Sequence, residues 1–275
     1  MRIDSHQHFW RFNPADYGWM QPGWRIRRDF LPADLESELR AQNMDGCVAV
    51  QARQSTTESR WLLELAAAAS IVRGVVGWVD LCSPNVAAEL DEFAGHPKFV
   101  GVRHVVQDEP DDGFMLRKDF QRGIAALCRF DLTYDVLVHP RQLPAAIVLA
   151  GKFPGQSFVL DHLAKPPIKA GALSPWRQQI QELAKFPNVA CKVSGLVTEA
   201  DWQAWRAEDF KPYLDVVFEA FGPDRLMFGS DWPVCLLAGS YERVFGLAQD
   251  YVRQLGVEAE AKFFGANAAR FYGLT

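Results

Sequence analysis

The chain has 275 residues, 49% of them hydrophobic and 23% charged, with a formal net charge of −5. That length and balance suit one globular domain over residues 1–275 with a large core, and exclude a disordered or fibrous chain. With no basic stripe and no polybasic run, neither nucleic acid nor an anionic bilayer is an expected partner.

Eight short runs of β-branched and apolar residues read as buried strands: residues 2–4, 46–50, 72–79, 99–102, 132–138, 157–160, 188–193 and 225–228. Between them lie stretches of helical period. The first is residues 31–39, where Leu31, Leu35 and Leu39 fall on one face; the others are 61–70, 86–93, 120–130, 143–150, 175–186 and 211–221. Strand alternating with helix predicts parallel βαβ units, and eight of them predict an α/β fold of the closed (β/α)₈ TIM-barrel type. A doubly wound sheet would carry a glycine-rich phosphate loop after its first strand, where this chain has His6-Gln7-His8. Residues 10–29, which include Trp10, Phe12, Tyr17, Trp19 and Trp24, read as a long loop after strand one, either a lid over a pocket or an apolar cover.

No apolar run reaches the roughly 18 residues of a membrane span, and residues 62–72 are interrupted by Glu64 and Ser70. The opening Met1-Arg2-Ile3-Asp4 leaves no room for an export signal before the first strand. Cys47, Cys82, Cys128, Cys191 and Cys235 form no C-x-x-C pair and read as reduced thiols, so the expected location is cytoplasmic.

The unusual polar residues cluster at the C-terminal ends of the predicted strands, which in a barrel converge on one face. Strand one ends in His6-x-His8, and period-two alternation puts both imidazoles on one side, where they can share a metal ion or an oxyanion or simply cap a loop. Strand five ends in His139, which precedes Pro140 and also reads as a loop histidine. Strand six ends in Asp161-His162, and strand eight in Gly229-Ser230-Asp231-Trp232, where Asp231 is a base or a helix N-cap.

His6-x-His8, Asp161-His162-Leu163-Ala164-Lys165-Pro166, Lys192-Val193-Ser194-Gly195, Phe228-Gly229-Ser230-Asp231-Trp232-Pro233 and the closing Asn267-Ala268-Ala269-Arg270-Phe271-Tyr272 together resemble the amidohydrolase superfamily. Within it they are most similar to the branch of sugar-lactone and dicarboxylate-lactone hydrolases, the L-fuconolactonase kind included. The resemblance implies a metal held by His6, His8 and Asp231, with Asp231 also taking a proton from the attacking water. Whether His139 or His162 is a further ligand stays open. Binuclear members carry a carboxylated lysine at the end of strand four; this chain has Val102-Arg103-His104 there, so at most one zinc ion is expected, and it is not expected to be essential.

Opening a lactone needs a base for water, donors for the oxyanion and a proton for the ring oxygen. Asp231 is the expected base, with burial raising its pKa toward working pH, and His6, His8 and His162 polarise the carbonyl through one metal or as direct donors. The expected substrate contacts are Gln51 and Arg53 after strand two, Trp78 and Asp80 near strand three, Arg103 and His104 after strand four, then His139, Lys165, Lys192 and Trp232. Lys192 shares a strand face with Ala190 and Ser194. The expected partner is a small L-fuconolactone-like molecule. The rivals are a metal-dependent decarboxylase or hydratase of an aromatic ring-cleavage acid, another dicarboxylate lactonase, and a catalytically silent binding protein.

Overall fold

The computed structural model describes residues 1–275. Eight parallel strands follow one another in a single sheet: β1 Ile3–Gln7, β2 Gly46–Val50, β3 Val72–Gly77, β4 Phe99–His104, β5 Thr133–Val136, β6 Phe158–Leu160, β7 Val189–Val193 and β8 Leu226–Phe228. Beyond β8 the edges meet, with a Gln7–Trp232 bridge and Asp231 N donating to the His6 carbonyl at 2.8 Å. The result is the (β/α)₈ barrel that the alternation of strands and helices predicted. No helix is long and apolar enough to cross a membrane.

The strands are buried on both faces, so the apolar runs are continuous rather than alternating. Inside the barrel Ile3, Val48, Val50, Val76, Val100, Val159, Ala190 and Met227 form a small core closed by Ala268 and Tyr272. Cys191 and Val193 lie in the larger core between sheet and helices, as the strand-face assignment for Lys192 requires.

Around the sheet run α1 Pro32–Ala41, α2 Thr56–Ala68, α3 Val86–Ala94, α4 Lys118–Arg129, α5 Leu143–Lys152, α6 Trp176–Leu183, α7 Ala207–Phe221 and α8 Tyr241–Val252, then the short α9 Val257–Ala261 and α10 Asn267–Tyr272. Leu35 and Leu39 of α1 are buried as predicted, whereas Leu31 precedes the helix and donates its amide to Asp34 Oδ2 at 2.8 Å. α2 begins a turn earlier than its apolar period suggested, which places Glu58 in its first turn. The sequence reading also missed α8, whose Ser240 caps it by accepting from Arg243 N, and the helices after it. Asn267 ties α10 below β8 through the carbonyls of Pro223 and Leu226, both at 2.7 Å.

Candidate active site

Strand ends and the turns after them build a cavity of about 690 Å³ at the C-terminal mouth of the barrel. His6 lies in β1 and is fully buried; His8, one residue beyond the strand, borders the cavity. Their rings meet edge to face with centroids 5.0 Å apart. Beside β1, Gly229 has no side chain because a Cβ there would stand 2.6 Å from His6 Cβ.

After β6 the chain turns through four consecutive left-handed residues, His162, Leu163, Ala164 and Lys165, with φ of 53°, 54°, 57° and 51°. Such a run is costly for residues with a Cβ, and here it brings both His162 and Lys165 to the cavity wall. Ser194 Oγ lies 2.9 Å from His162 Nδ1 and fixes the ring from behind. Asp231 is also left-handed, with φ 56°. It is not a helix cap, since the turn of 3₁₀ helix that follows begins at Val234.

Asp231 Oδ1 is the point on which three imidazoles converge: His8 Nε2 at 3.2 Å, His6 Nε2 at 3.9 Å and His162 Nε2 at 4.0 Å. His8 Nδ1 lies 2.8 Å from the Val50 carbonyl, so it carries the proton and donates. His8 Nε2 faces Asp231 Oδ1 across 3.2 Å, a separation that positive charge between the two stabilises. A single metal ion on His6, His8 and Asp231 supplies it; their ligand atoms lie within 4.8 Å of one another, and the residues fit such an ion. A second group, His6, Asp161 and His162, is equally compact. Its carboxylate is already engaged: Asp161 Oδ1 is 3.1 Å from Lys192 Nζ, and Oδ2 accepts from Arg103 Nη1 at 3.2 Å.

The expected rise in the Asp231 pKa is not found. Burial does push it up, but His162, His8 and Lys165 outweigh burial and hold it below the ordinary carboxylate value. Burial keeps His6 and His162 neutral, holding both well below the usual histidine range against the pull of Asp161 on the first and Asp231 on the second. Burial would also raise Asp161, yet Lys192, His6 and Arg103 hold it well below 3.8.

Behind this centre a charge network runs through the barrel interior. Lys192 Nζ donates to Asp135 Oδ2 at 2.5 Å and lies 3.2 Å from His6 Nδ1; Tyr272, from α10, donates to Asp135 Oδ2 at 2.9 Å. The Lys192 charge is thus shared by Asp135 and Asp161, all three fully buried. His6 Nδ1 lies 3.3 Å from Asp161 Oδ1, and its Nε2 lies 3.3 Å from Arg103 Nη1, so the ring stands among Asp161, Lys192 and Arg103. The sequence reading passed over Asp135 and took Tyr272 only as the end of the closing motif. The signal was Asp135 itself, a carboxylate inside an apolar strand, which requires a cation.

Of the expected substrate contacts, Arg53, Arg103 and Lys165 border the cavity. Six do not. Gln51 is buried and donates to the Arg103 carbonyl at 3.2 Å, and Lys192 lies deeper in the barrel. His104 is bonded to Glu109 at 2.8 Å and stacked on Phe114, and Trp78 Nε1 stands 3.4 Å from its Nδ1. Trp232 packs against Phe9 and Phe30. His139 precedes a 3₁₀ turn, and its amide is capped by Gln142 Oε1 at 2.9 Å. Trp19 and Trp24, from the segment between β1 and α1 that the sequence offered as a lid, line the cavity, and three residues unforeseen from the sequence join them: Asp16 from the same segment, and Glu199 and Trp202 after β7. Burial raises the Glu199 carboxyl above its ordinary value against the opposing charge of Lys165. Trp24 and Trp202 meet with centroids 5.5 Å apart, joining the two segments.

The amidohydrolase family profile matches residues 3–274. The chain belongs to the amidohydrolase family. It is similar to an L-fucono-1,5-lactonase from Burkholderia multivorans, 45% identical over all of this chain and 96% of that protein. A second L-fucono-1,5-lactonase, from Burkholderia ambifaria, is 42% identical over 98% of this chain and 95% of the relative. A crystal structure of an amidohydrolase from Burkholderia multivorans with bound zinc superposes with a TM-score of 0.96 at 45% identity, each chain covered in full. Within this amidohydrolase the convergence on Asp231 lies where the fold places its catalytic face, at the strand C-termini.

Proposed function

We propose that this amidohydrolase opens the ring ester of a sugar-acid lactone of the L-fuconolactone kind, a carboxylic-ester hydrolysis. The observation that carries the reading is the convergence of three imidazoles on Asp231 at the cavity wall, in a chain 45% identical to an L-fucono-1,5-lactonase.

Asp231 is the general base. Held ionised by its neighbours, it accepts the water proton only as the oxygen bonds to the lactone carbon, when that proton becomes acidic. Arg103 carries a permanent charge at the wall, its Nη2 bonded to the Gln51 carbonyl and its Nη1 between His6 and Asp161, and stabilises the developing oxyanion. His162, neutral and oriented by Ser194, positions the water; Lys165 protonates the departing ring oxygen. A zinc ion held by His6, His8 and Asp231 would add Lewis-acid polarisation of the carbonyl. Because Arg103 already provides a fixed charge and an ester is more reactive than an amide, zinc is accessory rather than essential.

A pH-indicator screen of sugar-acid and dicarboxylic lactones, on chelator-treated and zinc-loaded enzyme, tests this. Turnover of sugar-acid lactones is expected in both preparations; failure to open any lactone at either metal content overturns the reading.

A further inference from the structure

The cations of the cavity wall are already matched by carboxylates. Arg53 Nη2 lies 2.8 Å from Asp16 Oδ1, and Lys165 Nζ lies 3.7 Å from Glu199 Oε1. All four side chains border the cavity and are between a fifth and a third exposed, within reach of a ligand. Arg103, the remaining fixed cation of the wall, faces Asp161 at 3.2 Å. Asp108, Glu109 and Asp231 add carboxylates with no further Lys or Arg, so negative charge exceeds fixed positive charge around the cavity.

An unpaired guanidinium or ammonium here would hold a carboxylate by a charge-assisted hydrogen bond. Beside Asp16 or Glu199, the same cation attracts a second anion only as strongly as the resident carboxylate fails to repel it. A hydroxyl group meets no such opposition. It donates to the carboxylate and accepts from the cation, so each pair is a ready site for an uncharged polyol. The tryptophan faces of the same wall suit the apolar side of a sugar ring.

We propose that Asp16 and Glu199 determine the charge specificity of the site, pairing Arg53 and Lys165 so that the cavity admits neutral polyhydroxylated lactones, rejects lactones bearing a carboxylate, and expels its own product. The inference rests on the lactonase reading. Hydrolysis adds the oxygen of water to the carbonyl carbon, breaks the ring C–O bond, and leaves one hydroxyl, one carboxylate and one released proton. The product therefore carries a charge that the substrate lacked, inside a wall of net negative charge.

The test compares L-fuconolactone with galactarolactone, whose ring carries a free carboxylate, on the wild type and on Asp16→Asn and Glu199→Gln. The wild type is expected to favour the neutral lactone at least ~100-fold in kcat/KM, and each variant to narrow that ratio about tenfold through a lower KM for galactarolactone. Inhibition by open-chain fuconate should tighten similarly in the variants. In the wild type it should strengthen as salt rises from about 20 to about 300 mM and screens the repulsion, a measurement that needs no variant to fold. Equal use of both lactones by the wild type, an unchanged ratio in folded variants, or fuconate inhibition that weakens with salt overturns the charge assignment alone. A wild type that opens neither lactone overturns the lactonase reading and this inference with it.

Discussion

Gly195 and His162 are in contact in a way that only glycine permits. Gly195 has φ +62°, and a Cβ on it would stand 2.5 Å from His162 Nδ1, the nitrogen that Ser194 orients. Gly195→Ala is therefore expected to displace the imidazole and strain the backbone, lowering kcat about 100-fold while KM changes little. Steady-state kinetics beside circular dichroism check this; an active, folded Gly195→Ala enzyme would show that the position of His162 is unimportant.

Asp231→Asn should fold and lose at least ~10³-fold in kcat, because an amide neither accepts the water proton nor carries the charge on which His8 and His162 converge. Near-normal turnover by pure, folded protein removes Asp231 from the mechanism.

His162→Asn separates a working histidine from a packing one. Asparagine tolerates the left-handed backbone at that position, φ 53°, better than most residues, so the thermal midpoint should stay within a few degrees of wild type while kcat falls. A large loss of stability with activity intact would point to packing.

Lys192→Met leaves Asp135 and Asp161 buried without their shared cation and should destabilise the protein by about 3–5 kcal/mol. Adding Asp135→Asn should recover part of that loss by removing the uncompensated charge. Chemical denaturation of the single and double variants measures both effects, and a double variant no more stable than the single one contradicts the shared-cation arrangement.

Glu58 gives stability a pH dependence of known sign. Its carboxyl accepts the amides of Ala52 and Arg53 at 2.9 and 2.8 Å, and burial raises it from 4.5 to about 7. A raised folded pKa means that the folded state holds the proton longer. Its contribution is greatest below pH 4.5 and is lost as pH rises through 7, by about 3 kcal/mol in all. Midpoints of wild type and Glu58→Gln measured from pH 5 to 8 should show a steeper fall with pH in the wild type; parallel curves would exclude Glu58 as the source.

Metal removal should leave substantial turnover, since Arg103 stands 3.3 Å from His6 Nε2 with a charge that no chelator takes away. Exhaustive chelation verified by elemental analysis is the check, and turnover that vanishes and returns with stoichiometric zinc makes the metal essential.

Local sequence determined the eight strands, most of the helices and the chemistry at the strand ends, because period and burial pattern are properties of short segments. Thus His6, His8, His162 and Asp231 could be gathered at one mouth before any contact was known. Even the inward face of Lys192 followed from alternation along β7. Contacts across the barrel were not legible in this way. The pairing of Lys192 with Asp135 spans 57 residues and depends on sheet closure, and Tyr272 reaches that pair only because α10 folds under the barrel. The pKa of Asp231 went against expectation for the same reason: burial is visible in a sequence, but the placement of His162, His8 and Lys165 around one carboxylate is not. Asp16 and Glu199 lie in segments without periodicity, and only the folded chain, through contacts such as Trp24 on Trp202, sets them beside Arg53 and Lys165. Segment-level pattern carries the scaffold, while the charge balance of the site is a sum over distant residues that tertiary structure alone brings together.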